Sequence, residues 1–143
     1  MRNALTSLAL AAVLAGCSSA PRTVIVAGRA ESAAALLAAH PAEAGRNITP
    51  ILLERNEYSS VHLVWVRDRE EPHIHATHDL VVLVLQGEGT LFLSGREIPM
   101  AAGDTAAVPK GTPHQFVNRG DGPAAAFVVF SPASDGSDNV PVK

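Results

Sequence analysis

After Asn47 the chain breaks into short apolar runs separated by turn residues. The pattern predicts strands at 51–54, 61–66, 80–86, 90–93, 97–100, 105–108, 115–118 and 124–130. Each break carries the Gly or Pro that a tight turn needs: Gly87-Glu88-Gly89, Ser94-Gly95, Gly103-Asp104, Pro109 to Pro113 and Gly120-Asp121-Gly122-Pro123. Strands of this length and spacing predict an all-β sandwich or barrel. Residues 80–85 are apolar at every position, as expected of a strand covered on both faces.

Upstream the pattern is different. The β-branched run 23–26 reads as an edge strand or a spacer, and "ESAAALLAA" at 31–39 as a short helix or a linker, stopped by Pro41 and Gly45. The polar tail 133–143 is expected to be disordered.

The first residues form a third region. Arg2 is followed by an apolar run from Ala4 to Ala15 and then by small residues, the outline of a secretory leader and too short to span a bilayer. Leu14-Ala15-Gly16-Cys17 resembles the lipobox of bacterial lipoproteins. That resemblance implies cleavage of residues 1–16, lipidation of Cys17, a membrane anchor through the lipid, and a place in the bacterial cell envelope facing the periplasm or exterior. Cys17 is the lone cysteine of the chain, so a disulfide within the chain is excluded. The expected division is thus leader 1–16, lipidated linker with a short helix 17–46, β domain 47–132 and tail 133–143.

Net charge is −3, and losing the leader removes Arg2 and no acid. An acidic chain without a basic stripe is not expected to bind nucleic acid. It also has no nucleophile elbow, phosphate loop or dinucleotide fingerprint.

The candidate chemistry lies in "HIHATHD", residues 73–79. In an extended backbone alternate side chains share a face, so His73 and His75 point one way and Ile74 the other. Two imidazoles on one face are half a metal site. Downstream, Pro109 and Gly111 shape a turn that places His114 at a strand start, in parity with Phe116, where a third imidazole can face the same interior. His62 shares its face with Val64 and Val66 and reads as a hydrogen-bonded wall residue; His40 reads as a helix-end residue. Gly87, Gly103, Pro109, Gly111 and Asn118 are assigned to turn geometry.

Gly103, Pro109, Gly111, His114 and Asn118 match the second motif of the cupin superfamily at every specified position, and His73, His75 and Gly87 resemble the first motif. The resemblance covers roughly 47–132. It implies a cupin jelly-roll β-barrel with one divalent transition metal (Mn, Fe, Co, Ni, Cu or Zn) held by three histidines and a carboxylate. The family's glutamate position is occupied by Leu80, which makes the adjacent Asp79 the expected fourth ligand and His78 its alternative. The function expected is binding of a metal and a small molecule, with metal-dependent oxidation or isomerisation as candidate reactions. The alternative is a non-catalytic lipoprotein that binds a ligand or partner, with a structural metal or none. Catalytic residues are not assigned, and a homodimer is left open.

Overall fold

The computed structural model describes residues 23–142; the leader and Cys17 lie outside the described residues. Strands β1 (Thr23–Val26) and β2 (Arg29–Ser32) form a hairpin, followed by helix α1 (Ala33–Ala39). The remaining strands are β3 (Ile48–Arg55), β4 (Ser60–Val66), β5 (His73–His75), β6 (Asp79–Gln86), β7 (Glu88–Leu93), β8 (Arg96–Ala101), β9 (Thr105–Val108), β10 (His114–Asn118), β11 (Ala124–Ser131) and β12 (Asn139–Pro141). Two five-stranded antiparallel sheets, β12-β5-β10-β7-β8 and β3-β4-β11-β6-β9, face one another as a jelly roll. All eight predicted strands are present, most of them longer by a residue or more at one end. Among the described residues no helix is long and apolar enough to cross a membrane.

The uninterrupted apolar run of β6 has its explanation in the N-terminal segment. Leu80, Val82 and Val84 turn inward, and Leu83 and Leu85 turn outward onto a second core with Leu63, Trp65 and Ala125. Val24, Ala33 and Leu36 complete that outer core. Helix α1 forms because alanine and leucine favour it and because Ser32 Oγ accepts the Ala35 N–H at 3.0 Å, satisfying one of the first-turn donors. It ends at His40, whose N–H reaches the Leu36 carbonyl before Pro41 forbids another turn. The His40 carbonyl then accepts the Trp65 indole N–H at 2.8 Å, fastening the helix end to β4. Residues 23–46 are therefore a packed cap on the outer sheet face rather than a free linker.

The tail is also ordered, contrary to expectation. β12 pairs antiparallel with β5, setting Asn139 opposite His75 and Pro141 opposite His73. Ser134 and Asp138 are buried. The polar composition of 133–143 suggested disorder, but β5 is short and presents an open edge on which the returning chain supplies the missing ladder partner.

Candidate metal centre

β5 and β10 are neighbours, with His73 opposite His114 in register. The alternation of β5 carries His75 onto the same face, so three buried imidazoles meet at one end of the barrel interior. Their ring centroids are 4.3 Å (His73–His114), 5.0 Å (His73–His75) and 5.3 Å (His75–His114) apart. One potential ligand atom from each lies within 4.8 Å of the others.

The outer ring nitrogens determine what the inner ones can do. His73 Nδ1 lies 2.7 Å from the Glu71 carbonyl, and His114 Nδ1 lies 2.9 Å from the Thr112 carbonyl. His75 Nδ1 lies 3.1 Å from Asp138 Oδ1. Carbonyl and carboxylate oxygens only accept, so each Nδ1 carries the proton and donates it. All three Nε2 lone pairs are thereby left for a common ligand. This tautomer and this outer hydrogen bond are what a metal-bound histidine uses.

Burial holds the imidazoles of His75 and His114 below the ordinary histidine range. The Asp138 hydrogen bond opposes this at His75, the Thr112 carbonyl opposes it at His114, and neighbouring imidazoles reinforce it at both. Neutral imidazole is the ligating form, so the protein environment favours the state that binds a cation.

Asp79, the expected carboxylate ligand, does not join the cluster. It is exposed, and its Oδ1 accepts the Lys110 N–H at 2.8 Å. The reason is strand parity: Leu80 faces inward with Val82 and Val84, so its neighbour must face out. His78 does not reach the three imidazoles either. It is buried behind them, its Nδ1 hydrogen-bonded to Asp138 Oδ2 and within 2.9 Å of Thr77 Oγ1.

Asp138 is the functional residue that sequence reasoning missed. Its carboxylate accepts from His75, His78 and both the N–H and the hydroxyl of Thr77. Burial alone would raise its carboxyl, but hydrogen bonds from His78 and His75 outweigh that and hold it well below the usual carboxylate range. A carboxylate on Nδ1 fixes the His75 ring and makes its Nε2 a better donor to a cation, and losing such a partner weakens metal binding about 10–100-fold. Asp138→Ala should therefore lose at least tenfold in metal affinity by chelator competition, while Asp79→Ala should match the parent. Equal losses for the two would refute this assignment.

The other histidines take the expected places. His62 Nε2 lies 3.0 Å from Ser60 Oγ, and its ring meets Phe130 edge-on at 5.1 Å, so it belongs to the wall. Asn118 is a turn clamp, its Nδ2 donating to the Arg67 and Gly122 carbonyls.

Inward from the histidines lies a cavity of about 270 Å³ between the sheets. Its wall is built from alternate residues of both sheets, among them Val64, Val82, Leu91, Val108 and Phe116. Glu70 also lines it, with Oε2 accepting the Phe116 N–H at 3.0 Å.

This architecture is shared with known proteins. Residues 61–130 match the cupin domain model. An uncharacterized protein of Aquifex aeolicus is 38% identical over 96 residues, which cover 67% of this chain and 78% of that one. The crystal structure of TT1209 from Thermus thermophilus superposes with a TM-score of 0.62 at 25% identity, covering 68% of this chain and 95% of its own. A sugar phosphate isomerase of the cupin superfamily from Silicibacter pomeroyi superposes with a TM-score of 0.54 at 33% identity, covering 59% of each chain. With its two-sheet jelly roll and three convergent histidines in the matched segment, the chain belongs to the cupin superfamily.

Proposed function

We propose that the protein is an envelope cupin that holds one divalent transition metal through His73, His75 and His114 and uses it on a small molecule bound in the barrel. The observation that carries this reading is the set of three Nδ1–H groups, each tied outward to an acceptor with its Nε2 left inward. Among Mn, Fe, Co, Ni, Cu and Zn, three imidazole donors suit Fe, Ni, Cu and Zn better than Mn, which prefers oxygen. When bound, such an ion would polarise a ligand oxygen or lower the pKa of a water. The chain's own part is to orient three imidazoles through their Nδ1 partners, to favour the neutral form of His75 and His114 by burial, and to enclose the ligand between the sheets. Among the described residues no carboxylate completes the cluster, which favours a site open to ligand over a closed structural one. Metal-dependent oxidation and isomerisation are the candidate reactions; the Silicibacter pomeroyi relative is named as an isomerase, though of sugar phosphates.

Elemental analysis of protein purified without added metal tests this reading. About one equivalent in the parent protein and none in His114→Ala is expected. A parent protein that neither carries nor takes up stoichiometric metal would overturn it.

The same proposal includes an anchor. Leu14-Ala15-Gly16-Cys17 supports cleavage before Cys17 and lipid attachment to it, leaving the barrel tethered on the periplasmic or outer side of a membrane. Cys17→Ser should accumulate as uncleaved precursor. An unmodified mature Cys17 in the mass spectrum would rule the anchor out.

A further inference from the structure

The cavity beside the three histidines is lined mainly by apolar side chains, the other polar ones being His62, Glu70, Ser134 and Asn139. Val64, Val82, Leu91, Met100, Val108 and Phe116 form its depth. Ser134 and Asn139 of the returning C-terminal segment line it as well, beside His75. Among the described residues that line it there is no Lys or Arg. The one acid, Glu70, already accepts the Phe116 N–H through Oε2.

Two ligand classes fit this wall poorly. A sugar carries hydroxyls on all sides, and those pressed against valine and leucine, away from His62, Glu70, Ser134 and Asn139, would lose their water without gaining partners. A phosphate dianion is normally gripped by Arg, Lys or backbone N–H groups at a helix start, and the described lining of this cavity holds no Lys or Arg but does hold Glu70. A dication held there by three imidazoles would gain nothing from them in charge, so an anionic oxygen is the ligand group it would draw most strongly. With the carboxylates of Asp138 and Glu70 already close by, one negative oxygen group is better tolerated than two.

We infer that the ligand of this site is a monoanionic oxygen acid with a compact hydrocarbon body, its oxygens toward His73, His75 and His114 and its body among Val82, Leu91 and Phe116. At roughly 30 Å³ for each water-sized group, the cavity admits about nine non-hydrogen atoms. This inference rests on the metal-site reading for the head group and on the wall alone for the body.

The test uses the full chain in detergent, loaded with Zn(II), and titrates straight-chain carboxylates from acetate to decanoate alongside glucose 6-phosphate. Affinity should rise two- to fourfold per methylene up to about heptanoate and then flatten, because each buried methylene adds a nearly constant increment until the space is full. Glucose 6-phosphate should bind more weakly than heptanoate. Ala126→Phe and Ala106→Leu, which fill the cavity from the two strands flanking β6, should erase the rise while leaving acetate binding intact; they also control for partitioning into detergent. A flat series, tighter binding of glucose 6-phosphate, or a rise unchanged in both filled variants would overturn the inference. If zinc uptake is stoichiometric and the series is flat, the metal reading stands and the ligand class falls. If zinc is not taken up and the rise persists, the ligand body is supported and the metal reading falls.

Discussion

Replacing His114 by alanine is expected to cut affinity for a divalent ion by well over a hundredfold while leaving the fold in place. His114 is one of three donors, and loss of even an outer partner of a ligand costs 10–100-fold, so loss of the donor itself must cost more. The fold should survive because His114 sits at the start of β10, whose ladder with β7 runs on to Asn118. Chelator competition on the parent and the variant, with circular dichroism as the control for folding, measures both. Undiminished metal in a folded His114→Ala protein would remove the site.

The same site should be sensitive to acid, and the direction follows from the shifts. His75 and His114 titrate in the folded protein below the free value of 6.5, so between those limits the unfolded chain takes up protons that the folded one refuses. Stability is thus full above 6.5 and falls as the pH drops below it. Asp138 adds a second loss in the same direction, below its free value of 3.8, as its depressed carboxyl is finally protonated. Metal should steepen the first loss, since protonated imidazole cannot ligate. Melting curves of metal-free and metal-loaded protein between pH 7.5 and 5 should diverge at the upper end and converge at the lower.

Gly89→Ala is expected to be the most destabilising single-methyl change in the barrel. A Cβ there would stand 2.3 Å from Phe116 Cζ and 2.5 Å from the Val117 carbonyl oxygen. The ring can swing aside, but the carbonyl belongs to β10 and cannot move without opening the β7–β10 ladder. Overpacking of this kind costs about 3 kcal/mol, which should lower the melting temperature by roughly 10 °C. Gly95→Ala is the comparison: φ is +80° and nothing lies within 4 Å, so only the left-handed backbone opposes the methyl, at about 1 kcal/mol. A Gly89→Ala protein that melts no lower than Gly95→Ala would show that β7 and β10 are less tightly joined than their register implies.

The barrel was legible in the sequence because its strands alternate and its turns carry Gly and Pro. His73, His75 and His114 were legible because alternation and one turn suffice to place them on a common interior. Two other features were not. The choice of Asp79 followed nearness in sequence to the family's glutamate position, although the parity of Leu80 with Val82 already pointed its neighbour outward. Asp138 lay in a segment whose serines, glycine and acids read as solvated tail. Nothing local marks such a residue, since its partners are His75, 63 positions away, and His78, 60 positions away. The role of Val24 and Leu36 was hidden for the same reason: a run that could be helix or linker becomes a helix when a sheet face needs covering.

The return of the last strand onto β5 also sets an order of events. Chains emerge from synthesis N-terminus first, so His73 and His75 appear well before residue 138 does. Until residues 138–141 are out, His75 has no carboxylate behind it and β5 has an open edge. The site is therefore finished after the rest of the barrel, and removal of residues 138–142 would take away β12 and with it the covered edge. The carboxylate behind His75 is thus a late arrival, and the three-histidine cluster gains its outer support only when β12 has closed on β5.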